Sequence, residues 1–289
     1  MSYYRLLGFE KEPFSTSPDP DFFYLSKKHE TALTNILIEL RLKRGLSVIL
    51  GDVGTGKTTL SRKLIQELKM REDFIFHIIL DPYFENEHVF LNSLVRNFGI
   101  NIDRGSSYGI LDLKESLERF LFQKCITESK TVVIIIDEAQ KIKEDSLEDL
   151  RALLNYETNQ FKLLQLVLLG QMELHSKIMN MANFFDRISF KYTLNPLDYN
   201  ETKEMIKFRI RQAGYRANMH LFIEEAVKEI YQYSQGYPRR ITMLCYKALK
   251  SLILDRRAVV DAALIRKIVD EEIKAGWQKK EILLQKNSY

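Results

Sequence analysis

One glycine-rich segment of the sequence has the spacing of a polyphosphate-binding loop. It reads G-D-V-G-T-G-K-T over residues 51–58, which fits the pattern G-x-x-x-x-G-K-[ST]. Glycines let the backbone pass close to phosphates, so that successive N–H groups and the following helix N-terminus can point at them. Lys57 is then expected to reach the β- and γ-phosphates, and the Thr58 hydroxyl to bind Mg²⁺. The alternative is an ordinary glycine turn with a surface lysine. The nucleotide-binding residues that we predict are Gly51, Asp52, Val53, Gly54, Thr55, Gly56, Lys57, Thr58 and Thr59.

A pair of carboxylates forms the second candidate element. The β-branched run T-V-V-I-I-I over residues 131–136 predicts a buried strand, and Asp137 and Glu138 follow it directly. Asp137, at the strand tip, suits the Mg²⁺ shell, and Glu138 suits a general base that polarises the attacking water. The alternative is a strand capped by an acidic pair that starts a helix. Together with the glycine segment, the pair predicts hydrolysis of a magnesium-bound nucleoside triphosphate.

Three further polar residues are candidates for catalytic roles beside Lys57 and Glu138. Gln171 follows an apolar strand over residues 163–169 and is expected to sense the γ-phosphate. Arg187 is either a salt-bridged surface residue or an arginine finger inserted into the site of a neighbouring subunit. Arg239, at the start of a predicted helix, is expected to reach back to the γ-phosphate.

The elements that position these residues predict an α/β fold followed by helices only. Apolar runs at 46–50, 74–80, 131–136 and 163–169 predict strands, and the nearly continuous run 74–80 is typical of a sheet covered on both faces. The alternating segment 189–194 predicts a further short strand. Helical periodicity separates the runs, which indicates a parallel sheet sandwiched by helices. We predict four segments: an N-terminal arm and helix (1–45), a nucleotide-binding α/β domain (46–195), a small all-helical lid domain (196–276) and a C-terminal tail (277–289).

Three segments carry open alternatives. The arm over residues 3–25 is rich in aromatics and prolines; we expect it to be extended and to pack on the domain surface, where it either cradles the adenine or serves only as core packing. The segment 99–109, with Arg104, Gly105, Ser106 and Ser107, is either a plain connector or a loop that touches a partner. The tail from Trp277 is either an interaction tag or a frayed end.

Composition indicates a soluble globular protein, with 45% hydrophobic and 28% charged residues. The sequence contains no apolar run of membrane-spanning length and no signal-peptide pattern, so we expect a cytoplasmic protein without a membrane span. Cys125 and Cys245 lie in apolar-periodic segments and are expected to be buried small hydrophobes. The five histidines lack ligand spacing, which argues against a metal site built by protein ligands alone.

The charge is unevenly distributed. From Asn195 onward there are 18 Lys plus Arg against 12 Asp plus Glu, whereas the first 194 residues hold 25 against 27. This basic C-terminal part either faces nucleic acid or anionic lipid or is a solvated helical surface.

The sequence resembles AAA+ ATPases of the ExeA/GspA (general secretion pathway A) type, which are associated with bacterial secretion and related pilus systems. The segments that carry the resemblance are Pro18-Asp19-Pro20, Tyr24-Leu25-Ser26, His29, Gly51 to Thr58, Ile135 to Gln140, Leu150-Arg151, Glu157-Thr158, Lys162 to Gln165, Gly170-Gln171, Asn195-Pro196-Leu197, Gly236 and Pro238 to Ile241. The sequence departs from the family at Asp81-Pro82, where the family tends to carry Asn-Pro. It also stops where secretion members typically continue into a membrane span and a wall-binding part.

The resemblance implies a sheet of AAA+ strand order, ATP as the nucleotide and assembly into a ring or filament of identical subunits. It also implies that Gln171 is the first sensor, Arg187 the finger and Arg239 the second sensor. The partner implied is a protein of a secretion or pilus machine, so the expected role is an assembly or regulatory ATPase. Because this type is similar to TnsC/TniB-like transposon regulators, which wrap DNA when ATP-bound, a DNA-binding regulator is the alternative, and a nucleotide-switched scaffold is the second alternative.

Overall fold

The computed structural model describes residues 2–17, 19–101, 108–216 and 220–276. Its strands are β1 (Leu46–Gly51), β2 (Phe74–Ile79), β3 (Thr131–Ile136), β4 (Leu164–Gly170) and β5 (Ile188–Leu194). Its α-helices are α1 (Tyr3–Leu6), α2 (Lys27–Arg41), α3 (Lys57–Lys69), α4 (Glu87–Asn97), α5 (Ile110–Phe122), α6 (Glu144–Leu153), α7 (Met172–Met179), α8 (Ala182–Phe185), α9 (Tyr199–Gln212), α10 (Glu224–Ser234), α11 (Pro238–Leu254) and α12 (Ala262–Lys274). Pro18, Arg104 to Ser107 and the tail from Trp277, for which the sequence raised expectations, lie outside the described residues.

The chain forms two compact units. The α/β unit comprises Lys27–Val53 and Lys57–Leu194, and the helical unit comprises Met1–Ser26, Asn195–Tyr289 and the three loop residues Gly54–Gly56. The sequence placed the arm and the first helix together in residues 1–45, whereas the structure divides this segment after Ser26. The division arises because α2 packs against β1 and β5 of the sheet, while the arm joins the other unit.

The α/β unit is built on a parallel sheet with the strand order β2-β3-β4-β1-β5. Successive side chains of a strand point to opposite faces, so Val48 and Leu50 pack in the core that α4 to α7 complete, and Ile49 is buried on the other face. Helices α2 and α3 pack against β1. The predicted fold class, a parallel sheet sandwiched by helices and followed by helices alone, is confirmed.

The burial of β2 differs from the sequence expectation. Its apolar run predicted a strand covered on both faces, but only Phe74 and Ile79 at its ends are buried. The reason is its position: β2 is an edge strand, paired on one side with β3. The other edge strand, β5, alternates half-buried and exposed residues up to the buried Leu194, as its alternating sequence predicted.

The helical unit packs α9 to α12 around its own apolar core. The Asp198 side chain caps α9 by accepting a hydrogen bond from the Glu201 backbone N–H. The Glu201 carboxylate in turn accepts one from the Asp198 backbone N–H, which completes a capping box. Gly236, before α11, has φ 74°, and a Cβ there would lie 1.9 Å from the carbonyl oxygen of Leu197. Only glycine fits this approach, and the Leu197 amide donates to the Gly236 carbonyl at 2.9 Å. None of the helices in the described part of the chain combines the length and apolar character that a membrane crossing requires.

The N-terminal arm contributes side chains to the core of the helical unit. Phe9, Phe14 and Phe22 are buried there, and α1 and a short 3-10 turn at Pro20–Phe22 interrupt the extended chain that the sequence predicted. Apolar side chains without regular period are inserted one by one between helices, so a periodicity argument cannot place them.

A buried arginine fastens the arm to the helices. Arg209 of α9 is 8% exposed and donates to the carbonyl oxygens of Pro13 at 2.7 Å and Ser15 at 2.9 Å, and to the Thr242 hydroxyl at 3.3 Å. Its guanidinium also lies 5.9 Å from the ring centre of Phe14. Burial lowers the pKa of Arg209 to about 10, so the side chain stays charged at neutral pH.

Replacing this arginine should loosen the arm. We expect Arg209→Met to lower the free energy of unfolding by about 3 kcal/mol, because it removes three hydrogen bonds from a cation and leaves buried carbonyls unsatisfied. Urea unfolding measures the loss, and limited proteolysis of the arm reports its release. Arg211→Met is the matched control, since Arg211 lies on the same helix and is exposed. Equal losses in the two variants would contradict the fastening role.

Candidate functional site

The candidate site lies along one edge of the sheet of the α/β unit. Strands β1, β4 and β3 are adjacent and parallel, so their carboxyl ends meet at the same edge. The residues that follow these ends are the glycine loop after Gly51, Gln171 after β4, and Asp137 and Glu138 after β3. The glycine loop and the acidic pair therefore belong to one sheet and are separated by the width of a single strand. Open α/β sheets bind ligands at this kind of edge.

The loop itself has the backbone form that its glycines predict. Gly54 and Gly56 have φ angles of 87° and 100°, which is the left-handed region where glycine is favoured. The helix α3 begins at Lys57, directly after the second of them, so its first N–H groups have no partner within the helix. Such a terminus attracts anions through its free N–H groups and its dipole.

Lys57 is buried at the start of α3. It is 6% exposed, and its Nζ donates to the carbonyl oxygens of Gly51 at 2.7 Å and Asp52 at 2.9 Å. Burial lowers the pKa of the ammonium group, while the negative charges of Glu138 and Asp137 act in the opposite direction. A buried cation held only by carbonyl dipoles and nearby carboxylates is well suited to exchange these contacts for a phosphate.

Asp137 faces the first turn of α3. Its carboxylate is 2% exposed, accepts a hydrogen bond from the Thr58 side chain, and lies 3.4 Å from the Ser61 hydroxyl through Oδ2. The Glu138 amide donates to its Oδ1 at 3.0 Å. Burial raises the pKa of Asp137, because the charged form is desolvated and like-charged Glu138 is nearby.

These groups fit a magnesium ion that also binds phosphate. The Thr58 hydroxyl and the Asp137 carboxylate offer two hard oxygen ligands next to each other. Magnesium usually takes one or two protein ligands and completes its octahedron with water and substrate phosphates. In the described residues there is no cluster of three or more His, Cys, Asp or Glu that would hold a metal without a phosphate.

Glu138 has an unusual backbone and a crowded carboxylate. Its φ angle is 53°, in the left-handed region that non-glycine residues rarely adopt. Its Oε2 accepts a hydrogen bond from Gln140 Nε2 at 2.7 Å and one from Gln171 Nε2 at 3.4 Å. Strained backbone of this kind persists only where surrounding contacts enforce it, and it concentrates at functional sites.

The structure brings most of the predicted site residues together and leaves Arg187 apart from them. The backbone N–H of Arg239 donates to the carbonyl oxygen of Gly54 in the glycine loop at 3.3 Å. Arg187 directly precedes β5, at the amino end of this parallel strand, whereas the glycine loop follows the carboxyl end of β1. Within the described ranges, Arg187 forms no ion pair, and its buried Nε lacks a hydrogen-bond partner. Arg239 is the second residue of α11 in the helical unit, and its reach to a phosphate stays a prediction.

The sequence argument assigned no role to three residues that shape the site. Ser61 contacts Asp137, Gln140 contacts Glu138, and Lys177 Nζ donates to the carbonyls of Gln140 at 2.9 Å and Ile142 at 2.6 Å. The sequence could have identified Ser61, since it lies one helical turn after Thr58 on the same face of α3. For Gln140 and Lys177, the contacts depend on how β3, β4 and α7 pack together, which spacing alone does not reveal.

The chain matches known proteins in family and in fold. Residues 40–178 match the family AAA domain. Over 249 residues the chain is 33% identical to General secretion pathway protein A of Aeromonas hydrophila, an alignment that covers 86% of this chain and 44% of that protein. The chain therefore spans less than half the length of this curated relative.

Two solved structures are similar in fold. The Aeropyrum pernix ORC2 protein, in ADPNP-ADP complexes, has a TM-score of 0.60 and 19% identity, and the match covers 86% of this chain and 68% of that one. Drosophila ORC bound to DNA has a TM-score of 0.63 and 17% identity, with coverage of 96% and 70%. At these identities the likeness concerns the nucleotide-binding fold alone. Family model, relative and fold agree with the motifs: the chain carries an AAA domain over residues 40–178 and is similar, over 249 residues, to a protein of the general secretion pathway A type.

Proposed function

We propose that this protein binds Mg-ATP and hydrolyses it to ADP and phosphate at a site completed between subunits. The observation that carries the proposal is that a buried Lys57 ammonium and a buried Asp137 carboxylate beside Thr58 lie close enough to interact electrostatically at one edge of the sheet. A triphosphate and its magnesium ion satisfy both groups at once. The ADPNP-ADP complexes of the fold relative support an adenine nucleotide.

Each part of the site has a role in this reaction. The backbone of Gly51 to Thr59 cradles the phosphates, and Lys57 leaves its carbonyl partners to bind the β- and γ-phosphates. Thr58 and Asp137 would hold the ion, which would supply neutralisation of the negative charge of the phosphates. Glu138 accepts a proton from the water that attacks the γ-phosphorus in line, and ADP leaves.

Three other residues would respond to the γ-phosphate. Gln171, adjacent to Glu138, is positioned to contact it from the tip of β4. Arg187 would act on the site of a neighbouring subunit in a ring or filament, which agrees with its distance along the sheet from its own loop and with its lack of a carboxylate partner in the described chain. Arg239 would couple the nucleotide to the helical unit.

We propose further that the ATPase assembles or regulates a bacterial secretion or pilus system, with a protein partner of that machine. The 33% identity to General secretion pathway protein A supports this role, although the shared part is 44% of that protein. A nucleotide-switched scaffold that hydrolyses little is less favoured, because a scaffold requires neither Glu138 nor Arg187. The cytoplasmic location stays a prediction.

A DNA-binding regulator is the second candidate, favoured by the basic C-terminal part and by the fold shared with a DNA-bound ORC. Part of this charge is neutralised within the helical unit. Lys247 pairs with Glu272, and Arg257 pairs with Asp261 at 3.1 Å. Both acids are already among the twelve counted from Asn195 onward, so the excess of basic residues remains. The secretion role ranks first on the 33% identity to General secretion pathway protein A.

Two substitutions separate nucleotide binding from turnover. We expect Lys57→Ala to abolish ATP binding, because it removes the cation at the phosphates. We expect Glu138→Gln to keep ATP bound and to lower turnover by about 10²–10⁴-fold, the usual contribution of a general base. Calorimetric titration and phosphate release measure the two effects. Lys63→Ala, which removes a half-buried residue that pairs with Glu67 on the same helix, is the control. Equal turnover by wild type and Glu138→Gln would remove the base role.

The finger role of Arg187 is tested by mixing subunits. Arg187→Ala should lose about 10³–10⁵-fold in turnover. Added in equal amount, Glu138→Gln subunits supply an intact Arg187 and should restore about a quarter of the wild-type rate if neighbours assort randomly. The control is Arg119→Ala, an exposed arginine of the same unit that pairs with Glu115. An Arg187→Ala mixture that stays inactive would contradict a finger acting between subunits.

A DNA titration distinguishes the two cellular roles. With the secretion role, we expect the fluorescence anisotropy of a labelled duplex to change no more with ADPNP than with ADP at low salt. Binding that ADPNP strengthens and salt weakens steeply would instead favour the regulator, since neutralised phosphates release counterions.

A further inference from the structure

The side chain of Gln140, two residues after Glu138, connects the end of β3 to the end of β4. Gln140 lies in a 3-10 turn (Ala139–Lys141) after β3. Its Nε2 donates to Glu138 Oε2 at 2.7 Å, and its Oε1 accepts the backbone N–H of Gln171 at 3.1 Å. A carboxylate only accepts and an N–H only donates, so these two contacts fix which end of the amide faces which partner.

The turn that carries Gln140 is itself held firmly. Lys177 of α7 donates to the carbonyl oxygen of Gln140 within the turn and to that of Ile142 directly after it. The side chains of Ala139 and Ile142 are fully buried. The Lys141 amide donates to the Glu138 carbonyl at 2.9 Å, which closes the turn on the left-handed Glu138. Because its backbone is clamped, Gln140 offers its amide from a defined position.

Two amide donors therefore converge on one oxygen of Glu138. Oε2 accepts from Gln140 and from the Gln171 side chain, which leaves Oε1 as the oxygen that no donor in the described residues engages. A glutamate side chain has three rotatable bonds, so an unrestrained carboxylate would sample many positions relative to a γ-phosphate.

We propose that Gln140 is a positioning residue for ATP hydrolysis. It orients the Glu138 carboxylate so that Oε1 faces the attacking water, and it links this orientation to Gln171, the predicted γ-phosphate sensor. The expected effect of Gln140 on the rate of ATP hydrolysis rests on the proposed function. The hydrogen bond itself does not depend on that function.

Two variants test the orienting hydrogen bond. Gln140→Met keeps the length of the side chain without its amide, and Gln140→Glu keeps the acceptor for Gln171 but turns a second carboxylate oxygen toward Glu138. We expect kcat to fall about 10-fold or more in Gln140→Met and further in Gln140→Glu, while the ATP dissociation constant stays within about two-fold of wild type. Gln160→Met, an exposed glutamine in the same unit, is the control and should match wild type. Wild-type kcat in Gln140→Met, or a parallel weakening of ATP binding, would overturn the positioning role and leave the proposed ATPase standing.

The link to Gln171 is tested by combining variants. Since both amides act on one carboxylate oxygen, the loss of kcat in Gln140→Met/Gln171→Met should be smaller than the product of the single losses. Independent, multiplicative losses would contradict the link.

A double-mutant cycle, measured by thermal unfolding without nucleotide, tests the hydrogen bond between Gln140 and Glu138 independently of catalysis. We expect Gln140→Met and Glu138→Ala to shift the melting temperature non-additively, because the second change removes a partner that is already lost. Additive shifts would overturn the contact even in a protein that hydrolyses no ATP, whereas non-additive shifts without wild-type hydrolysis would refute the proposed function alone.

Discussion

The structure depends on opposite charges held out of water at one edge of a parallel sheet. Lys57 and Asp137 are both almost fully buried. Burial lowers the pKa of Lys57 and raises the pKa of Asp137, so it favours the neutral form of each group. Desolvated charges are costly unless they are paired and hydrogen-bonded, so the surrounding carbonyls, hydroxyls and amide must compensate. Such a buried charged site lowers stability, as is usual at functional sites, and the proposed magnesium-bound triphosphate would complete it.

The strand order makes this arrangement possible. Because β4 lies between β1 and β3, the glycine loop and the acidic pair flank a single strand, and Gln171 at the end of that strand falls between them. Gln140 adds a second connection across the same gap, from the tip of β3 to the tip of β4. Direct hydrogen bonds within one unit thus join Gln171, the proposed sensor, to Glu138, the proposed base, whereas Arg187 lies at the opposite end of the sheet.

Features that depend on short stretches of sequence were predictable. The glycine loop and the buried strand before Asp137 follow from local spacing, and the parallel fold follows from alternating strands and helices. Features that depend on distant neighbours were not. The exposure of β2 reflects its place at the sheet edge, and Arg209 meets Pro13 across 196 residues. The orienting role of Gln140 likewise requires β4 to lie beside β3.

The most direct test of the central claim is a crystal structure of the protein with Mg²⁺ and ADPNP. The ion should bind the Thr58 hydroxyl and the β- and γ-phosphates, with Asp137 in direct contact or one water away. The Nζ of Lys57 should have left the carbonyl oxygens of Gly51 and Asp52 for the phosphates. A nucleotide bound outside the glycine loop, or an ion remote from both Thr58 and Asp137, would contradict the account.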